Sequence, residues 1–106
     1  MSKVSLILNI LFLLISLNGL SQGTPQIVEV GDKYYSKGDY VGANFYYEKA
    51  LNIDSSNAEV LYKYALSLSA INQNDKAARY FLKSSLIDRG YEFPDVYYRL
   101  AEAYRT

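Results

Sequence analysis

The sequence predicts an all-α fold built as a stack of antiparallel helix-turn-helix hairpins. Three observations carry that prediction. The stretch from Gly31 to Asp54 reads as two amphipathic helices around a tight turn at Lys37-Gly38-Asp39. Small residues (Gly31, Ala43, Ala50) sit where two helices would touch, and large ones (Tyr34, Tyr40, Tyr47) where a gap must be filled. Shifted by 34 residues, the chain falls on itself: Gly31 on Ala65, Tyr34 on Leu68, Ala43 on Ala77, Tyr47 on Phe81, Ala50 on Ser84 and Ile53 on Ile87. A fixed period of this length marks stacked supersecondary units, because one hairpin cannot bury its own apolar stripe.

Residues 1–21 stand apart from the repeats. Lys3 gives a short positive start, and Val4 to Leu17 is an apolar run broken only by Ser5, Asn9 and Ser16. Asn18-Gly19-Leu20-Ser21 is small and polar. This is the layout of a secretory signal peptide. Gly19 and Ser21 place small residues two apart, third and first before the cut, for the narrow subsites of a signal peptidase, so cleavage is expected after Ser21. The competing reading is an uncleaved anchor, against which the run is shorter than the ~20 residues of a spanning helix. No Cys follows it to take a lipid.

Gln22 to Thr24 is a linker. Thr24-Pro25 suits a helix start, Thr as cap and Pro at the first helical position. That helix is expected to reach about Ser36, and Gly38 to end it in the left-handed conformation. Asp39 should cap a second helix running to about Ile53. Ser56 and Glu59 have the spacing of a capping box, opening a third helix to about Ile71. Asn72-Gln73-Asn74-Asp75 is a polar turn. A fourth helix follows from Asp75 to about Ile87, with Ser84 and Ser85 bonding back to carbonyls one turn earlier. Arg89-Gly90-Tyr91-Glu92 is a widened joint, Gly90 being the stop, and Pro94-Asp95 opens a last helix. The sequence ends inside that helix, so a partner helix is expected beyond Thr106.

The residues at these positions resemble the tetratricopeptide repeat family. A first repeat, 24–57, supplies Ile27, Val30, Gly31, Tyr34, Gly38, Tyr40, Ala43, Tyr47 and Ala50. A second, 58–91, supplies Leu61, Tyr64, Ala65, Leu68, Ala77 and Phe81, departing at Asn72, Asn74 and Ser84. A partial third, 94–106, supplies Tyr97, Leu100, Ala101 and Tyr104, offset by 36 rather than 34 from the second. The resemblance implies a right-handed superhelical stack over 24–106. It also implies a concave groove lined by the first helix of each repeat. The groove positions then fall on Val28, Asp32 and Tyr35, on Glu59, Tyr62, Leu66 and Ser69, and on Asp95, Tyr98, Glu102 and Arg105. Tyr35, Tyr62 and Tyr98 are candidate aromatic anchors for a peptide, exposed beside a separate packing face. Some members of the family clamp a terminal carboxylate with Lys, Arg and Asn; here the corresponding positions hold Val28, Asp32, Tyr62, Leu66, Tyr98 and Glu102, which argues against that clamp.

Composition excludes several functions. The chain of 106 residues carries 11 basic and 11 acidic side chains, interspersed, so no field favours nucleic acid or an anionic membrane. It has no Cys and no His, which removes thiolate chemistry, disulfides, the commonest general base and the commonest metal ligand. No Gly-rich phosphate loop or metal-ligand cluster is present. No base accompanies Ser84 or Ser85, and nothing in the spacing brings Asp32 and Glu29, or Glu59 and Asp95, together as a catalytic pair. Lys33, Lys37, Lys49, Lys63, Lys76, Arg79 and Lys83 are expected to be solvated. The expectation is a non-enzymatic, cofactor-free, exported interaction or scaffold module of the periplasm or outer-membrane-associated envelope. Its partner would be a protein or peptide, with no stable membrane insertion once the signal is cleaved. The alternative is a structural N-terminal spacer of a larger envelope protein, for example one with an OmpA-like domain downstream.

Overall fold

Three of the four joints between the described helices turn on residues with positive φ, and the joint at 54–57 does not. Gly38 (φ 80°) and Gly90 (φ 77°) adopt it without a Cβ penalty, and Asn72 (φ 63°) and Arg89 (φ 56°) adopt it as side-chain-bearing residues. Between these points lie the helices of a computed structural model, which describes residues 23–105. α1 covers 23–36 of the described residues. It is followed by α2 (Tyr40–Ile53), α3 (Ala58–Ala70), α4 (Asn74–Asp88) and α5 (Val96–Arg105). No strand occurs among the described residues. The fold is all-α. The signal-peptide reading falls on residues outside those described.

The local signals were partly as expected. Asp39 caps α2, its Oδ1 accepting from the Gly42 N–H at 2.9 Å. α3 is capped differently: Asn57 Oδ1 accepts from Val60 N–H at 3.2 Å. The Ser56 hydroxyl instead donates to Asp54 Oδ1 at 2.9 Å, so the Ser56–Glu59 capping box does not form. Gly23 and Thr24 are both helical, so capping does not fall on Thr24. The cap that ends α4 is Arg89, one residue before the expected Gly90. Ser85 bonds back to the Leu82 carbonyl at 2.7 Å as expected. Ser84 reaches across to the Ala58 carbonyl of α3 at 2.9 Å and joins two helices.

The core sits where residue size predicts it. Ala43, Tyr47 and Ala50 on α2, Leu61, Ala65 and Leu68 on α3, and Ala77, Phe81 and Ser84 on α4 are all buried. Short side chains let the helices approach and the rings fill what remains. A Cβ at Gly31 would lie 2.6 Å from a ring carbon of Tyr47, which is why that contact takes Gly rather than Ala. Tyr34 stacks on Tyr46 with centroids 5.3 Å apart, and Tyr35 meets Tyr40 edge-on at 5.1 Å, joining α1 to α2. A buried polar pair completes the α2–α3 contact: the Ser67 hydroxyl donates to Asn44 Oδ1. α5 lays Val96 and Ala103 against the stack, with Leu100 half-buried. Its Tyr97 and Tyr104, expected on the packing stripe, are 52% and 66% exposed.

Candidate functional site

α1 and α3 lie side by side and bound two cavities that meet at Asp32 and Lys63. The larger, about 680 Å³, opens between α1 and the α2–α3 joint and is lined by Val28, Glu29, Asp54, Glu59 and Val60 among others. The smaller, about 260 Å³, is lined by Tyr35, Ser36, Tyr47, Tyr62, Leu66 and Phe93 in addition to the shared pair. They adjoin at this pair, the larger making the acidic end of the α1–α3 groove and the smaller its aromatic end.

Asp32 is the centre of the groove. It is placed by α1 one turn before Ser36, whose hydroxyl donates to the Asp32 carbonyl at 2.9 Å. The Tyr47 hydroxyl donates to its Oδ1 at 2.6 Å, and the Lys63 ammonium to its Oδ2 at 2.9 Å. Lys63 also reaches Glu59 at 3.0 Å, one turn earlier on α3. One carboxylate therefore links three helices. Burial, and then the bond to Asp32, hold the Tyr47 phenol well above its ordinary value, so it remains a donor throughout the neutral range. Burial works to lower Lys63, but its bonds to Asp32 and Glu59 outweigh that and hold the ammonium above its usual value.

At the aromatic end, Tyr62 stacks on Phe93 with centroids 4.4 Å apart and planes 12° from parallel. It also meets Phe81 edge-on, with centroids 5.8 Å apart. Its hydroxyl donates to Asp95 Oδ2 at 2.6 Å. Burial, then Asp95, push this phenol up to about 12. The hydrogen bond from Tyr62 lowers Asp95, against the effect of burial, with Arg99 at 3.2 Å adding to the lowering. The ring is only 8% exposed. The expectation of a free-standing anchor at Tyr62 is therefore corrected: it belongs to the core and offers the groove only part of its surface. Phe93, which follows the widened joint, stacks on the face that was expected to be open.

The other groove positions divide. Val28, Asp32, Tyr35 and Leu66 line the joined cavities and are half-buried. Glu59 lines the acidic end. Ser69, Glu102 and Arg105 come together elsewhere, in a separate depression of about 220 Å³ between the end of α3 and α5. Tyr98 stands 65% exposed on α5, its hydroxyl donating to Glu102 Oε1 at 2.9 Å. Asp95 serves Tyr62 and Arg99.

Lys63 was missed. The expectation of a solvated charge does not hold for it: its side chain is 25% exposed and it lines both cavities. The signal was faint but present: Lys63 lies one turn after Glu59, on the side of α3 facing Asp32. Three further cations expected in solvent lie over rings: Lys49 over Phe45 at 5.4 Å, Lys76 over Tyr64 at 5.6 Å and Lys83 over Tyr80 at 4.9 Å. Asp32 and Glu59, a pairing the sequence does not suggest, converge on Lys63, whose ammonium neutralises both.

Among the described residues, no group of three or more His, Cys, Asp or Glu is placed to hold a metal ion. No described helix is long and apolar enough to cross a membrane. A scan against protein-family models finds no match, and a search of curated proteins finds no significant relative.

Proposed function

We propose that the protein is an exported interaction or scaffold module of the cell envelope, with no catalytic role, that takes a protein or peptide segment into the α1–α3 groove. The observation that carries this reading is the adjacency of the two cavities, which share Asp32 and Lys63 in their linings. A concave strip with polar groups at one end and aromatic rings at the other suits an extended chain. Burial of the period-matched pairs Ala43 and Ala77, Tyr47 and Phe81, and Ala50 and Ser84 supports a tetratricopeptide-like, right-handed superhelical stack. Export and the periplasmic or outer-membrane-associated location rest on the apolar leader and on Gly19 and Ser21.

The test compares three forms of the full chain in pull-downs from envelope extract. Ser36→Trp fills the smaller cavity from its exposed rim. Val41→Ser changes an α2 side chain that is 68% exposed and lines neither cavity. A partner lost with Ser36→Trp and kept with Val41→Ser supports the groove. An identical captured set for all three refutes it and favours the structural spacer. Intact mass of the exported product tests the leader: a product retaining Met1 contradicts cleavage after Ser21.

A further inference from the structure

We propose that the groove selects a partner segment carrying a Lys or Arg close in sequence to a large apolar side chain, the cation at the acidic end and the apolar group at the aromatic end. This rests on the groove reading above. Among the described residues, the acidic end is lined by Glu29, Asp32, Asp54 and Glu59, with Lys63 as the one cation. Four carboxylates against one ammonium leave an excess of three negative charges in a chain that is formally neutral. Lys63 is committed: Asp32 and Glu59 hold it at 2.9 and 3.0 Å. Among the described residues, Asp54 accepts from the backbone and hydroxyl of Ser56, which are uncharged donors. Glu29 has Lys33 at 3.8 Å, but both side chains are about two-thirds exposed, so that pair neutralises little.

The walls sharpen the preference. The larger cavity is bounded on one side by Val28 and Val60, whose apolar surface keeps the field of the carboxylates from being wholly dispersed in water. A Lys or Arg can lay its aliphatic stem on such a wall and present its head to Asp54 and Glu29. The smaller cavity adjoins it through Asp32 and Lys63 and offers Tyr35, Leu66 and Phe93. An incoming carboxylate would meet the excess negative charge, with Lys63 already engaged. The groove thus discriminates by repulsion as well as by attraction.

The experiment pans a phage-displayed random heptapeptide library against the full chain, with Ser36→Trp as the parallel target. The expected result is enrichment of Lys or Arg within two positions of an aromatic or large aliphatic residue on wild type, and loss of that enrichment on Ser36→Trp. The best peptide, synthesised with blocked termini, should bind Glu29→Gln and Asp54→Asn each about two- to fivefold more weakly, the scale of exposed charge pairs. Its affinity should also fall with added salt. Enriched peptides that lose binding on Ser36→Trp but lack a cation, or ignore both charge removals, overturn this inference and leave the groove reading standing. Peptides that bind wild type and Ser36→Trp alike, or no enrichment at all, overturn both.

Discussion

The Tyr47 hydroxyl lies 2.6 Å from Asp32 Oδ1, and Lys63 Nζ lies 2.9 Å from the opposite oxygen. Both are charge-assisted bonds, the stronger kind. Tyr47→Phe keeps the ring and deletes only the phenol contact, and should cost about 1–2 kcal/mol. Tyr47→Ala also empties the space between helices and should cost about 3–5 kcal/mol. Thermal melts should rank wild type, Phe and Ala in that order. Coincident melts of wild type and Tyr47→Phe would show that the bond to Asp32 adds nothing.

Tyr62→Ala tests the corrected orientation of that ring. It removes the stack on Phe93, the edge contact with Phe81 and the bond to Asp95. The loss should be about 3 kcal/mol or more, as for other buried aromatic truncations. A melt within a degree or two of wild type would place the ring outside the core after all.

Gly31→Ala separates shape from propensity. In a helix interior, Ala is favoured over Gly by about 1 kcal/mol. The new methyl would, however, sit 2.6 Å from the Tyr47 ring, which burial and Asp32 hold in place. A net loss on denaturant titration is expected, because overpacking costs about 1–3 kcal/mol. A gain in stability would mean that the ring moves freely.

The start of α3 offers a paired test. Asn57→Ala removes the side chain that accepts from Val60 and should cost about 1 kcal/mol. Ser56→Ala touches an exposed hydroxyl bonded to Asp54 and should stay within about 0.5 kcal/mol. The reverse order in chemical denaturation would restore Ser56 as the cap.

The Tyr62–Asp95 bond predicts a pH dependence with two limbs. The folded state lowers Asp95 below its ordinary 3.8, so its contribution is present above that value and is lost as the pH falls through the lowered one. The folded state raises Tyr62 from 10.0 to about 12, so that contribution is full below pH 10 and is lost as the pH rises toward 12. Asp95→Asn should therefore converge with wild type in strong acid. Melts from pH 2 to 7 check this, and a constant gap across that range would exclude Asp95 as its source.

The positions of the helices and turns were legible in the sequence because their causes are local. Gly38 and Asp39 turn the chain and restart it within two residues, and Ala43, Tyr47 and Ala50 recur as Ala77, Phe81 and Ser84 because each helix pair meets the same size requirement. The facing of single residues was not. Neighbouring positions on a helix differ by about 100°, so Leu61, Tyr62 and Lys63 point in three directions, and which of them is covered depends on distant chain. Phe93 and Asp95, some thirty residues on, draw Tyr62 into the core. Asp32, on another helix, turns Lys63 from a surface charge into the groove's only resident cation among its lining residues. Asn57 and Ser56 are equally good caps by composition, and the backbone path into α3 gives the role to Asn57. Periodicity and residue size are properties of a segment and survive in the sequence; burial and charge pairing are properties of the assembled surface, and only the packing of α1, α3 and the joint before α5 decides them.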